Sequence, residues 1–202
     1  MIKLFLASSF KDVAKQFANF ETNLIGKRVT FIPTASIVEE VTFYVSAGRK
    51  SLEKLGLIID ELELSTATAE EIEHKIKHND FIYITGGNTF YLMQELIRTG
   101  ADQLILSEVH SGKLYIGESA GAIITSSNFE YVQKMDRVEK APLLTNYTGL
   151  SLVEFSPLPH FKSFPFTKIV DKIVSDYEKQ LHLIPIRNKE AIIVANHEMK
   201  IV

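Results

Sequence analysis

The chain has 202 residues, 46% of them hydrophobic, which is enough to bury one core without disulfides or metal ions. Lys and Arg total 22 against 25 Asp and Glu, so the formal charge of -3 provides no general attraction to nucleic acid or to an anionic membrane. Cysteine is absent, which excludes disulfides, thiolate metal sites and a cysteine nucleophile.

Short apolar runs alternate with segments of helical periodicity over the first 119 residues, a pattern typical of βαβ units that build a parallel sheet. The apolar runs lack polar alternation and predict buried strands at residues 3–7, 29–33, 58–64, 81–85 and 114–117. The periodic segments predict helices at 11–24, 38–55, 69–78, 89–99 and 101–110. We therefore predict an α/β fold with a mainly parallel sheet.

The pattern changes after residue 119. It predicts a short helix from Ala120, a polar stretch over 128–140, a strand over 150–155, a helix over 166–181, and a hairpin of 192–195 and 199–202 turned through 196–198. The apolar start is too short for a signal peptide, and no apolar run approaches the ~20 residues of a membrane helix. We expect one domain, residues 1–202, located in the cytoplasm.

A Gly-x-Ser-x-Gly pattern, Gly117 to Gly121, follows a predicted strand and precedes a predicted helix. In this context, a tight turn holds the serine in a strained conformation at a helix N-terminus, where backbone N–H groups can stabilise an oxyanion. Ser119 is therefore the predicted nucleophile. The alternative is a glycine-flanked turn in which Ser119 only caps the helix.

His160 is the predicted general base among six histidines. It follows an apolar segment and lies between Pro159 and Phe161, where a strand would end near the ligand-binding edge of an open α/β sheet. A histidine satisfied within the core is the alternative. The other five lie in polar segments and are predicted at the surface: His74, His78, His110, His182 and His197.

The third member of a catalytic triad should be an acid that orients the imidazole. Asp136 lies between Ser119 and His160 in the chain, which gives the order Ser, Asp, His found in α/β hydrolases. The alternative for Asp136 is a solvated acidic residue in a polar loop, and Glu139 and Glu154 are alternative acids. The choice among the three stays open.

A second strand-turn-helix contains Gly86, Gly87 and Asn88. Its glycines let the backbone approach a ligand, and the Gly87 N–H could pair with that of Ala120 in an oxyanion hole. The segment lacks the lysine and the spacing of a phosphate-binding loop. By itself, such a segment is usually only a turn.

Four segments together resemble the peptidase E (aspartyl dipeptidase) family of the class I glutamine amidotransferase-like superfamily: 31–35, 86–90, 117–122 and 159–161. The resemblance implies a three-layer, flavodoxin-like sandwich and a cofactor-free serine peptidase that removes one amino-terminal residue from very short peptides. It assigns Ser119 as nucleophile, His160 as base, the Gly87 and Ala120 amides as oxyanion hole, and Asp136 as acid.

Two departures from the superfamily limit what it implies for specificity. Ser119 and Lys162 stand where the amidotransferases carry the nucleophilic cysteine and the acid, which argues against glutaminase activity. Lys168 stands where an arginine would bind the aspartyl carboxylate, and lysine lacks the bidentate fork of arginine. We predict Asn88 and Lys168 as substrate-binding residues and leave strict Asp specificity open.

The predicted partner is a small peptide. A homodimer is left open, and no metal is expected because no His and carboxylate cluster has ligand spacing. A cyanophycinase-like isopeptidase or an esterase with the same triad is one alternative function. A catalytically idle module that binds a metabolite is the other.

Overall fold

The structure is a computed structural model that describes residues 1–196 and 198–202, and its centre is a seven-stranded sheet. The described strands are β1 Lys3–Ala7, β2 Arg28–Ile32, β3 Ile58–Glu61, β4 Phe81–Ile84, β5 Leu114–Glu118, β6 Ser156–Leu158, β7 Leu183–Pro185, β8 Ala191–Ala195 and β9 Glu198–Ile201. The sheet has the order β3-β2-β4-β5-β1-β8-β9, and its first five strands are parallel. β8 and β9 are antiparallel to their neighbours, and β6 pairs with β7 apart from the sheet.

Helices cover both faces of the sheet. They are α1 Phe10–Phe20, α2 Phe43–Lys54, α3 Ala69–His78, α4 Thr89–Thr99, α5 Ala101–His110, α6 Ala120–Ile123 and α7 Thr167–Tyr177, with short 3-10 turns at Thr34–Ser36, Glu130–Val132 and Val138–Lys140. In the described part of the chain, no helix has the length and apolar character needed to cross a membrane. The predicted α/β fold with a mainly parallel central sheet is confirmed.

Two apolar cores lie on opposite faces of the sheet. Alternate residues of β1 enter different cores: Leu4 and Leu6 pack on the side of α3, α4, α5 and α7, while Phe5 packs on the side of α1 and α2. All three side chains are fully buried. A strand covered on both faces needs apolar residues at every position, which is why these strands lack polar alternation.

The carboxyl ends of the central parallel strands meet at one edge of the sheet. Ala7 at the end of β1 is in register with Glu118 at the end of β5, and Ile84 at the end of β4 is in register with Gly117. The loops after these three strands therefore begin side by side. In open α/β sheets this edge is where ligands bind.

Most predicted elements are confirmed, but helices α1, α2 and α7 and strand β3 are shorter than predicted. α1 ends at Phe20 because the Glu21 carboxylate binds Lys3 Nζ at 2.6 Å and the Asn23 N–H at 3.1 Å, which holds the following residues out of the helix. α2 begins at Phe43, since Thr42 has a non-helical φ of -130° with ψ of 12° and residues 38–42 form a loop. The predicted bounds of α3, α4 and α5 match those observed.

The predicted strand over 150–155 is wrong. The N–H groups of Leu152 and Val153 both bind the carbonyl of Thr125, at 2.8 and 3.2 Å, and the Leu150 N–H binds that of Ile124 at 2.7 Å. These apolar residues satisfy carbonyls at the end of α6 instead of forming a ladder, and the strand begins later, at Ser156. Their hydrophobicity reflects burial in the core rather than strand pairing.

The C-terminal hairpin is confirmed by β8 and β9, with His197 of its predicted turn outside the described residues. The preceding helix, α7, is shorter than predicted and ends at Tyr177. The short strand β7, which pairs with β6, was not predicted. Between β7 and β8 the Glu190 N–H binds the Arg187 carbonyl at 3.0 Å, closing a turn that becomes important at the site.

Candidate active site

Ser119 lies in the predicted strand-to-helix turn, between β5 and α6. Its φ of 49° and ψ of -105° are unfavourable for a residue with a side chain, and its N–H donates to the Ala7 carbonyl at 2.9 Å. Gly117 is needed because a Cβ there would lie 2.4 Å from the Gly121 carbonyl oxygen. The backbone around Ser119 thus has the strained, closely packed geometry of a nucleophile turn.

His160 contacts Ser119 directly, since its Nε2 lies 2.9 Å from the serine Oγ. The loop after β6 carries the histidine at φ 64°, and the Phe166 ring stacks on the imidazole with centroids 4.5 Å apart. Burial lowers the pKa of His160, which favours the neutral form that can accept a proton. The structure therefore brings the predicted nucleophile and base together.

Asn188, which was not predicted as a site residue, lies on the far side of the imidazole. Its Oδ1 is 2.9 Å from His160 Nδ1 and accepts a hydrogen bond from Ser8 Oγ, also at 2.9 Å. Ser8 Oγ is 3.2 Å from Nδ1 and accepts the His160 backbone N–H at 2.8 Å. An amide and a hydroxyl therefore surround the nitrogen that faces away from Ser119.

Asp136 does not occupy the position predicted for the triad acid. Its Oδ2 accepts hydrogen bonds from the Thr89 N–H at 2.9 Å and the Thr89 hydroxyl at 2.5 Å, so the carboxylate is held at the start of α4. Burial raises the pKa of Asp136 to about 6, the bonds from Thr89 oppose this, and the charge of Glu39 adds to it. The alternatives Glu139 and Glu154 are exposed and do not line the cavity of Ser119.

Gly87 and Ala120 are the residues predicted to form the oxyanion hole: Gly87 lines the same cavity as Ser119, and Ala120 follows Ser119 as the first residue of α6. Gly87 has φ of 135°, and a Cβ there would lie 2.2 Å from the Ala35 carbonyl oxygen, so only glycine fits. Within the described residues, neither amide donates a hydrogen bond to another backbone carbonyl. Both N–H groups are thus left for another acceptor.

Glu118, next to the nucleophile, is a buried carboxyl that the sequence reasoning did not single out. Its two oxygens accept hydrogen bonds from the Phe10 N–H at 2.8 Å and the Tyr83 hydroxyl at 2.6 Å. Burial raises the pKa of Glu118, and the two hydrogen bonds oppose this shift. The side chain ties the start of α1 and strand β4 to the residue before Ser119.

Replacement of Tyr83 by phenylalanine should lower the free energy of unfolding by about 1–3 kcal/mol, because one buried carboxyl oxygen of Glu118 loses its partner. Urea unfolding at neutral pH measures the change. The matched control is Tyr177→Phe, at a half-buried position on α7, for which we expect a change within about 0.5 kcal/mol. Equal stability of the two variants would contradict a structural role for the Tyr83 hydroxyl.

Ser119 and His160 open into a cavity of about 440 Å³. Its charged lining consists mainly of carboxylates, and exposed apolar side chains of Val41, Phe43 and Phe164 also line it. The charged side chains, besides His160, are Lys11, Asp12, Glu39, Glu118 and Asp136. No group of three His, Asp or Glu side chains in the described ranges is placed to hold a metal ion.

The two residues predicted to bind substrate do not line this cavity. Asn88 is 1% exposed, and its side chain accepts the Tyr91 N–H at 2.9 Å and donates to the Arg137 carbonyl at 3.0 Å. It is the N-cap of α4, so its polar atoms serve the fold. Lys168 is exposed in the first turn of α7. Its predicted contact with a substrate carboxylate has no support in this geometry.

The predicted surface histidines are exposed where the structure describes them: His74, His78, His110 and His182. The fifth, His197, lies outside the described residues.

The site residues that were not predicted, Ser8 and Asn188, have no distinctive local sequence pattern. Ser8 follows a strand that ends beside β5, and this placement was the one available clue.

Comparison with known proteins identifies the family. The model of Peptidase family S51 matches residues 4–202. An uncharacterized peptidase of Listeria innocua is 60% identical over 199 residues, 98% of this chain and 95% of the relative. A peptidase E of Shewanella denitrificans is 31% identical over 138 residues, which are 68% of this chain and 55% of that protein.

Solved structures show the same relationship. A Listeria monocytogenes protein, crystallised as a candidate peptidase E, superimposes with a TM-score of 0.97 and 58% identity over 100% of this chain and 98% of its own. A peptidase from an acI-B1 actinobacterium gives a TM-score of 0.73 and 27% identity, with 100% and 88% covered. The chain belongs to peptidase family S51, the peptidase E family, and is a serine-type peptidase.

Proposed function

We propose that the protein is an exopeptidase that hydrolyses dipeptides and other very short peptides, with Ser119 as nucleophile and His160 as general base. The observation that carries this proposal is the 2.9 Å contact between Ser119 Oγ and His160 Nε2 at the wall of the cavity. The free Gly87 and Ala120 amides beside the serine suit an oxyanion hole.

The reaction follows from these positions. Ser119 Oγ bonds to the peptide carbonyl carbon while His160 Nε2 takes the hydroxyl proton, and the Gly87 and Ala120 N–H groups stabilise the oxyanion. Nε2 then protonates the leaving amine as the C–N bond breaks. Water attacks the acyl-enzyme with His160 again as base, and the acid product leaves with Ser119 restored.

The cavity charges support short substrates with free ends. Asp136 and Glu39 on the cavity wall suit the amino-terminal ammonium of a peptide. Lys11 is the one lysine or arginine among the described residues lining the cavity, and it suits a terminal carboxylate. Because carboxylates dominate this lining, we propose that substrates with an amino-terminal Asp are not preferred over neutral ones.

A panel of dipeptides tests the function. Each peptide is supplied with free ends, with an acetylated amino terminus and with an amidated carboxyl terminus, and the products are identified by mass spectrometry. We expect turnover of free dipeptides, including those with neutral first residues, and strongly reduced turnover after acetylation. Absence of turnover across the panel would overturn the proposal.

The panel also includes β-aspartyl-arginine and small esters. Cleavage of these compounds without cleavage of α-dipeptides would favour an isopeptidase or an esterase. Thermal stabilisation by a compound that is not turned over would favour a binding module. Cytoplasmic location, a single domain and a homodimer stay predictions.

Lys11→Ala should raise KM for free dipeptides about fivefold, because an exposed ion pair contributes about 1 kcal/mol. Amidated dipeptides should show no such change, since they lack the carboxylate. Lys168→Ala is the matched control, and its exposed position outside the cavity predicts KM values within about twofold of wild type. The reverse ranking of the two variants would restore the role first predicted for Lys168.

A further inference from the structure

We propose that Asn188 is the residue that positions His160, so that the triad of this peptidase is Ser119, His160 and an uncharged amide. The inference rests on the proposed roles of Ser119 and His160 and adds a third residue to them. Asn188 lies in the turn before β8, and its Oδ1 is 2.9 Å from His160 Nδ1. A carboxylate occupies this place in the standard serine peptidase triad.

The hydrogen bonds around Asn188 select one tautomer of the imidazole. Ser8 Oγ accepts the His160 backbone N–H and donates its own hydrogen to Asn188 Oδ1, which at 2.9 Å is closer than His160 Nδ1 at 3.2 Å. Since Oδ1 can only accept, the proton of a neutral imidazole lies on Nδ1 and is donated to the same oxygen. The lone pair of Nε2 then faces Ser119 Oγ, as a general base requires.

The opposite amide orientation would give an inactive arrangement. With the NH2 group of Asn188 facing Nδ1, the imidazole proton would move to Nε2 and point at Ser119. The Ser8 hydroxyl would then have lost its acceptor on Asn188. In the observed orientation the Ser8 hydroxyl has an acceptor on Asn188 and His160 can accept the Ser119 proton.

No carboxylate takes over this role among the described residues that contact the ring. The contacts of the imidazole are Ser119 at Nε2, Asn188 and Ser8 at Nδ1, and the Phe166 face. The other titratable groups lining the cavity are Lys11, Asp12, Glu39, Tyr44, Glu118 and Asp136. Two of these carboxyl groups form hydrogen bonds away from the imidazole: Asp136 accepts from Thr89, and Glu118 accepts from Phe10 and Tyr83.

An amide orients the ring but provides only a dipole to the imidazolium that forms during catalysis. Burial lowers the pKa of His160, and the hydrogen bond with Asn188 opposes this shift without the added effect of a negative charge. Activity needs neutral His160 in the free enzyme, so the acid limb of kcat/KM should lie below the ordinary histidine value of about 6.5. The peptidase would keep its activity into mildly acidic solution.

The test replaces the amide by an isosteric carboxylate, Asn188→Asp, and measures kcat/KM against pH. A charge about 3 Å from Nδ1 should move the acid limb upward by about one pH unit or more. The exposed Asn23 provides the control Asn23→Asp, which adds the same charge away from the site and should leave the limb in place. An acid limb that stays in place or moves downward in Asn188→Asp would overturn the proposal.

A second measurement does not depend on turnover. NMR titration of the His160 imidazole, assigned with His160→Gln, should show the same upward pKa shift in Asn188→Asp and none in Asn23→Asp. The nitrogen shifts at neutral pH should also show protonation at Nδ1 in the wild type. Protonation at Nε2 would overturn the inference, and an enzyme that cleaves no peptide but shows the Nδ1 tautomer would overturn only the proposed function.

Discussion

Ser119→Ala is expected to lower kcat for dipeptides by at least about 10⁴-fold, because the variant has no atom to form the acyl-enzyme. Binding should change little, since the lost hydroxyl is small and the cavity charges remain. Residual turnover would come from the oxyanion hole and the bound geometry alone. Steady-state kinetics with the best dipeptide of the panel measures both constants.

A loss of activity in Ser119→Ala must be distinguished from a loss of folding. Alanine tolerates φ of 49° about as poorly as serine does, so the strain at position 119 persists and the melting temperature should stay within a few degrees. The control Ser111→Ala removes a hydroxyl from an exposed residue after α5 and should keep full activity. A fluorophosphonate should label the wild type and Ser111→Ala but not Ser119→Ala. Wild-type kcat in the Ser119 variant would exclude it as the nucleophile.

The fold was predictable because its signals are local. Buried parallel strands need apolar residues at each position, and the intervening helices carry periodic apolar faces, so α3, α4 and α5 could be bounded from sequence. The failure at residues 150–155 has the opposite cause. These residues are apolar because they enter the core, but their N–H groups bind carbonyls after α6, a long-range pairing that no local pattern encodes.

The site residues that could be predicted from the sequence also lie in local motifs, whereas the missed ones are brought to the site by long-range contacts. Ser119 and Gly87 lie in contiguous motifs whose backbone geometry requires glycine neighbours, and His160 follows a buried segment that ends at the site. Asn188 approaches His160 from a polar turn 28 residues further on, and such turns are normally solvated. The chain order that favoured Asp136 carries no information on distance, and its carboxylate instead binds Thr89.

Gly87→Ala is expected to lower the free energy of unfolding by about 3–5 kcal/mol. The φ of 135° is unfavourable for any side chain, and the new Cβ would lie 2.2 Å from the Ala35 carbonyl oxygen, which accepts the Asn88 N–H at 2.8 Å. Relief of the clash must move the Gly87 amide away from Ser119. We therefore also expect kcat to fall by about 10²-fold or more in the folded fraction, as when one oxyanion donor is lost.

Gly100→Ala separates backbone strain from lack of space. Gly100 has a positive φ of 74° after α4, but a Cβ there would meet nothing within 4 Å, so we expect a loss of about 1 kcal/mol and unchanged kcat. Urea unfolding and dipeptide kinetics are measured on both variants. Similar stability losses would mean that φ alone limits position 87. Gly87→Ala could also show the expected loss of unfolding free energy while its folded fraction keeps a normal kcat. That result would show that the Gly87 amide does not form part of the oxyanion hole, and it would leave the proposed roles of Ser119 and His160 unchanged.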